Sequence, residues 1–385
     1  MTFLSRLAFL GAAKESTNGT AVTPPTFSIP FTKAQYETIF APLRDETVRG
    51  NDAVLQGLYQ GPADGTWDIE THFYPDLAGY WLRHIGTDTV VAGASTTLSS
   101  NSIIGATSIS TAATIATGST IRIQDTGGAN TEYAVTGVPS GAGPFTIPIV
   151  TPATGLIYAH TSPTATVVGQ STHTFAQSTS TRPPSYTLAV FDNVDYRVWA
   201  GAMVTELAIK IDPKGTVTFN PKFVTFPEAT TTSFTPTFNT VQPFLGWQWT
   251  VTNAGGSSTR GLTMDFTLKR AGEAIHTSNG VQPPRETFVG ALEIDGSYKA
   301  IYENTTDYTL FSAYTQTPTV HTLTKPTALG GETLAITMSQ SGYHKAVRDL
   351  GQTYVQASYD LSGINNSTDG GITKVVLKNY VSTAY

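Results

Sequence analysis

Seven histidines, at positions 72, 84, 160, 173, 276, 321 and 344, are the first residues to test for chemistry, since imidazole serves as metal ligand and general base. They occur singly. No pair has metal-site spacing on one element and there is no HExxH, so they read as seven surface or interface histidines. The chain has no cysteine, which excludes disulfides, thiol catalysis and cysteine-based zinc sites. Asp125-Thr126-Gly127 spells the aspartic-protease signature, but only once and beside Gly128, where a hairpin turn is the expected structure. No phosphate-binding glycine loop opens a helix, and no motif marks a carboxylate pair for glycoside hydrolysis. Trp67, Trp81, Trp199, Trp247 and Trp249 could form a sugar-stacking face. Core packing is the stronger reading for Trp67 and Trp81. Trp247 and Trp249 fall on one face of one strand, which suits a core or an intersubunit seam. The expectation is a chain with no catalytic residue, cofactor or metal.

The elements that would position such residues are mostly strands. Charged residues make up 13% of the chain, about half the usual share of roughly 25%. Thr, Ser, Asn and Gln supply the remaining polarity, and Thr favours strands. The 35 Gly and 22 Pro punctuate them. Net charge is −6 with no Lys/Arg run, which argues against a surface that grips nucleic acid. The apolar run from Leu7 to Ala13 is short and follows a single Arg6, a faint signal-peptide look in which an uncleaved start is the expected reading. Nothing approaches the roughly 18 apolar residues of a membrane span.

Along the chain, residues 1–32 read as an extended arm, lying on a sheet edge or on a neighbouring subunit. Lys33 to Phe40 read as a helical turn and residues 41–64 as a polar loop. Its Arg44, Asp45, Glu46, Arg49 and Asp52 are either solvated or an ion-paired subunit contact. Trp67, Ile69, Thr71 and Phe73 alternate with polar residues as in a half-buried strand. Asp76 is placed to cap a helix whose stripe is Leu77, Tyr80, Trp81 and Ile85, with Gly86 to stop it. Such a short helix needs a sheet to pack on. Trp67, Phe73, Leu77, Tyr80, Trp81 and Ile85 are therefore the expected core anchors.

The composition then changes. Between Ala92 and Gln170 the charged residues are Arg122, Asp125 and Glu132. Short strand-like runs separated by glycine turns predict a small all-β module inserted after the helix. After Ser171, Ala202 to Asp212 alternates most cleanly. Pro213-Lys214-Gly215 turns it, and Thr216 to Phe226 returns as a long hairpin. Further strands follow to Tyr380, with turns expected at Gly255-Gly256, Asp295-Gly296 and Gly370-Gly371.

Three stretches carry a family resemblance: LGAAKESTNGTAVTPPTFSIPF, WDIETHFYPDLAGYWLRHIG and PPSYTLAVFDNVDYRVWAGAMVTELAIKIDPKGTVTFNPKFVTF. Together with the closing strands from Leu262 to Tyr314, they resemble tail tube (major tail) proteins of long-tailed, siphovirus-like bacteriophages. Pro184-Ser185-Tyr186-Thr187, Tyr196, Gly201 to Val204, Leu207, Gly215 and Thr216 to Phe219 carry the pattern. The segment from Ala92 to Gln170 departs from it and resembles small β modules that decorate phage proteins.

The resemblance implies a mainly β fold: a tail-tube-type sandwich or barrel with one flanking helix, a long hairpin and an extended N-terminal arm. Residues 1–91 and 171–385 would form the tube domain, and 92–170 an outward-projecting decoration. Hexameric rings would stack into the tube through which double-stranded DNA leaves without specific binding. Partners would be further copies, the tape measure, the tail terminator and baseplate or tip proteins. The site would be the virion tail, assembled in the host cytoplasm, with no membrane. Glu206, Lys210, Asp212, Asp265 and Lys269 would lie on the polar sheet face, lining either the lumen or the outer surface. The competing reading is a carbohydrate- or receptor-binding β protein of a tail or adhesion structure.

Overall fold

A computed structural model describes residues 4–178, 180–238, 241–254 and 256–385. The chain begins with strands β1 (Phe9–Lys14), β2 (Phe27–Ile29), β3 (Lys33–Asp45) and β4 (Gly57–His72), then helix α1 (Ala78–Leu82) and β5 (Thr87–Val91). Six short strands follow: β6 (Ser95–Thr97), β7 (Ser108–Thr111), β8 (Thr120–Gln124), β9 (Glu132–Thr136), β10 (Phe145–Thr151) and β11 (Thr166–Gly169). The chain returns through β12 (Ser171–Ala176), β13 (Tyr186–Phe191), β14 (Tyr196–Ile211), β15 (Thr218–Thr225) and β16 (Ala229–Thr230). It ends with β17 (Trp249–Asn253), β18 (Gly256–Ser258), β19 (Gly261–Ile275), β20 (Glu286–Ile301), α2 (Thr306–Ser312), β21 (Thr317–Thr324), β22 (Thr333–Asp349), β23 (Gln356–Gly363) and β24 (Lys374–Asn379).

The fold is mainly β. Eighteen strands form one hydrogen-bonded network, and β6 to β11 form a separate six-stranded sheet. Within the large network, β3–β4–β15–β14–β19–β20–β23–β22 run side by side and antiparallel. The first half of β14 pairs with β13, and its second half pairs with β15 and β19. Gly201 stands at this change of direction with φ +63°, a value glycine adopts without a Cβ clash. On the other side of β13, β1 is held between β13 and β2, so the N-terminal arm pairs within its own subunit.

One apolar cluster spans α1 and strands from both halves of the large network. Trp81 packs edge-on to Tyr186 and Phe223, with ring centroids 5.1 and 5.3 Å apart. Trp67 sits edge-on to Trp199 at 4.8 Å. Trp67, Phe73, Trp81 and Ile85 are buried, while Leu77 and Tyr80 are half-buried. The small sheet has its own cluster around Ile121, Ile123, Ile147 and Val167.

Several expectations are corrected. The α-helix proper is only Ala78–Leu82; its N-cap position is held by Leu77, one residue past Asp76, and Leu77 makes no side-chain cap. A second helix, α2, was not expected. The expected helical turn is strand, and the expected loop shrinks to residues 46–56: β3 and β4 pair from Lys33↔Glu70 to Asp45↔Gly57, with a register shift at Phe40/Pro42. That bulge accommodates the proline. Asp295-Gly296 is not a turn but the middle of β20, and a Cβ on Gly296 would come 2.5 Å from Met264 Cε. The Gly255 half of the expected Gly255-Gly256 turn lies outside the described residues.

Candidate functional site

The alternation of β14 puts Glu206 and Lys210 on the polar face of the long sheet, opposite the buried Leu207, Ile209 and Ile211. Cross-strand register then builds rows of charge on that face. One row reads Asp68, Lys222, Glu206, Lys269 and Glu293, each directly opposite the next. Signs alternate at every step, the favourable arrangement for cross-strand neighbours. A second row reads Lys210, Asp265, Ser297, Asp360 and Lys345. Glu206 Oε1 accepts a hydrogen bond from Lys222 Nζ at 2.9 Å, and its Oε2 lies 3.9 Å from Lys269 Nζ. Asp360 closes the other row with Lys345 at 3.2 Å and accepts from Ser297 Oγ at 2.9 Å.

Titration follows the neighbours. The hydrogen bond that Lys222 donates to Glu206 holds the lysine above its ordinary pKa, against the opposing effect of partial burial. Burial raises Asp265, and Lys210 offsets this in part. Asp212 does not join the rows. It sits just past β14, where its carboxylate accepts from Lys214 N–H at 2.9 Å and shapes the turn. Of the five residues expected on this face, four are therefore brought together.

A second feature was missed in the sequence. β4 stays paired with β15 as far as Gly65, and Ala63 N–H donates to Gln282 O at 3.0 Å; beyond that point β3 and β4 leave the body as a two-stranded ribbon, and β3 is hydrogen-bonded on one edge only. Ile39, Phe40, Leu43, Leu58 and Tyr59 are exposed on it, Leu58 at 64%. Val48, Val54 and Leu55 add to this at the tip. The tip's charges pair locally, Arg44 with Glu46 at 3.1 Å and Arg49 with Asp45. Open grooves of about 850 Å³ and 690 Å³ lie along the base of β3. Exposed apolar area on this scale marks an interaction surface.

The histidines are not all at the surface: His84, His160, His173 and His321 are buried. Burial lowers His84 and His321 to about 3, with Arg270 adding to the effect at His84. His160 lies between two carboxylates of the small sheet, with Nε2 2.6 Å from Glu132 and Nδ1 3.3 Å from Asp125. Burial would lower its pKa, but Glu132 and Asp125 reverse this and raise it. Asp125 thus begins its turn and supports His160 rather than forming a protease site. His160 lies 28 positions from Glu132 and 35 from Asp125, so no local spacing signals the cluster. Trp67, Trp81 and Trp199 are buried. Trp247 and Trp249 do not share a strand: Trp247 lies in a 3-10 turn, 58% exposed, and Trp249 begins β17. No grouping of three or more metal-ligating side chains suited to an ion occurs among the described residues.

The model of the phage tail tube protein family matches residues 5–373. No curated protein sequence matches the chain.

Proposed function

The chain belongs to the phage tail tube protein family, and we propose that its copies close into hexameric rings that stack into the tail tube of a siphovirus-like virion. The carrying observation is the β3–β4 ribbon. An isolated two-stranded hairpin is marginal in water, and this one projects apolar side chains from both strands. A second copy seated on the ribbon and along the open edge of β3 would cover them. A heterologous contact that closes gives a ring, and another that does not close gives a filament. Pairing of exposed edges between copies also removes the aggregation hazard they present.

The charged sheet face would line the lumen, and the genome would pass along it. DNA carries about one charge per 1.7 Å, so a lumen of alternating, mutually neutralised charge holds it weakly. The tape measure, the tail terminator and the baseplate or tip proteins would meet the tube within or at its ends. Assembly would occur in the host cytoplasm. The role is structural, without catalysis. Residues 92–170 would be a decoration projecting outward, because neither the stacking surfaces nor the lumen leaves room for it.

Electron microscopy of the purified protein tests the assembly. Hollow tubes or sixfold rings are expected. A protein that stays monomeric at high concentration and binds glycans would overturn the reading in favour of a receptor-binding role.

A further inference from the structure

Lys210, Lys222 and Lys269 are the lysines on β14, β15 and β19 that face away from the core, and each stands directly opposite a carboxylate. The two nearest the ribbon differ from the third because they share a partner. Glu206 lies between them in the register, opposite Lys222 on one side and Lys269 on the other. Its two oxygens are divided between them, Oε1 2.9 Å from Lys222 Nζ and Oε2 3.9 Å from Lys269 Nζ. Among the described residues it is the one carboxylate in an ion pair with either lysine. All three side chains keep access to solvent, with roughly half of each lysine exposed.

We propose that Glu206 is a shared counter-ion that keeps Lys222 and Lys269 from binding nucleic-acid phosphate. This assignment rests on the reading of the charged face as the lumen wall. Lysine binds phosphate as a point charge with three donors. A carboxylate beside an ammonium cancels most of its charge at a distance and repels an incoming phosphate, so the pair attracts the anion far less than a free ammonium does. A duplex meeting this face therefore finds two potential anchors per subunit whose charge is offset by one carboxylate, Lys222 through a hydrogen bond and Lys269 through an ion pair at 3.9 Å. Replacing the carboxylate by an isosteric amide leaves the backbone and packing in place and removes the ion-pair partner of both lysines at once; Asp68 and Glu293, across the next strands, stay in register but are not ion-paired with them. The shared position makes one residue control two contacts, and repetition around a ring multiplies the effect.

The test uses a fluorescently labelled DNA duplex and the full-length purified subunit, on which the face is open whether or not it becomes a lumen. Glu206→Gln should bind the duplex more tightly than the wild type at low salt. Its extra affinity should fall roughly tenfold between about 50 and 200 mM salt, as two phosphate contacts at about 0.9 log unit each require. Adding Lys222→Gln and Lys269→Gln to the same chain should return binding to the wild-type level. Equal binding by Glu206→Gln and wild type, or tighter binding that persists in the triple variant, overturns the proposal. Virions carrying Glu206→Gln separate this from the lumen reading. Slowed DNA ejection supports both, whereas tighter binding by the subunit with unchanged ejection leaves the counter-ion role standing and removes the face from the lumen.

Discussion

The carboxylate of Glu15 accepts a hydrogen bond from the backbone N–H of Gly201 at 2.8 Å, where β14 changes direction. Its oxygens also accept from Thr187 Oγ1, Ser185 Oγ and Gly19 N–H. Four donors on three segments thus converge on one buried side chain, which ties the arm after β1 to β13 and β14. Glu15→Ala would leave all four without it. A stability loss of at least about 3 kcal/mol is expected, since each charged hydrogen bond contributes roughly 1.5–3 kcal/mol. Chemical denaturation of the subunit measures it, and a loss below about 1 kcal/mol would show that water replaces the carboxylate.

Trp81 is the largest buried side chain of α1 and touches Tyr186 and Phe223 from the other layer. The helix has five residues and no side-chain cap, so its place depends on this contact. Trp81→Ala is expected to cost roughly 3–5 kcal/mol of subunit stability. A denaturant melt showing less than about 1 kcal/mol would mean that the site collapses without loss.

What the sequence revealed depended on whether one face of a segment is buried. Leu207, Ile209 and Ile211 are buried while Lys210 is exposed, so β14 wrote its period-2 pattern plainly. In β3 nearly every position beyond Tyr36 is exposed or half-exposed. No buried face selects alternating residues there, and the strand read as helix and loop. Gly296 misled for a different reason: Asp295-Gly296 spells a turn signal, but both residues pair within the continuous β19–β20 ladder. The charge rows were half legible. Alternation placed Glu206 and Lys210 on one face, but only register shows that Lys222 and Lys269 both stand opposite Glu206. The Asp125–His160–Glu132 cluster joins three separate stretches and left no local trace.

Leu58 and Phe40 lie on different strands of the ribbon, and both are exposed in the subunit. If the ribbon is an assembly arm, Leu58→Glu should leave the subunit's melting temperature within a few degrees of wild type, because a surface substitution usually changes stability by less than about 0.5 kcal/mol. Tube formation should be lost. Normal tubes from Leu58→Glu, seen by negative-stain microscopy, would remove this part of the ribbon from the subunit contact.

Val91 and Thr172 are paired neighbours at the ends of β5 and β12, so the chain enters and leaves the small sheet at adjacent points. Replacing residues 92–170 with a short turn should therefore keep β5 and β12 in register. The deletion uncovers Tyr380, which packs on Tyr133 and Arg122, and removes the Gln170 hydrogen bond to Gly330. A modest loss of about 1–2 kcal/mol follows from that lost packing and hydrogen bonding. Tubes should still assemble. Folded subunits that no longer form tubes would show that the segment takes part in assembly.

The two sheets should respond to pH in opposite directions. His84 and His321 are held near 3 by burial, far below the value near 6.5 expected for an unfolded chain. Their contribution is complete above about pH 6.5 and is lost as pH falls, because the unfolded chain takes up protons that the folded one refuses. Each group costs up to roughly 1.4 kcal/mol per pH unit in that range. His160 has the reverse sign. Its pKa is raised by Glu132 and Asp125, so its contribution is complete below about pH 6.5 and fades as pH rises through the folded value. All five tryptophans lie outside residues 92–170, so tryptophan fluorescence reports unfolding of the large sheet alone. Its melting temperature should drop between pH 6.5 and 5. Hydrogen-exchange protection of β8 and β9 should instead weaken as pH rises above about 6.5, and His160→Gln should abolish that dependence. Protection that is unchanged by that rise in the wild type would mean that the histidine is not charged between its two carboxylates.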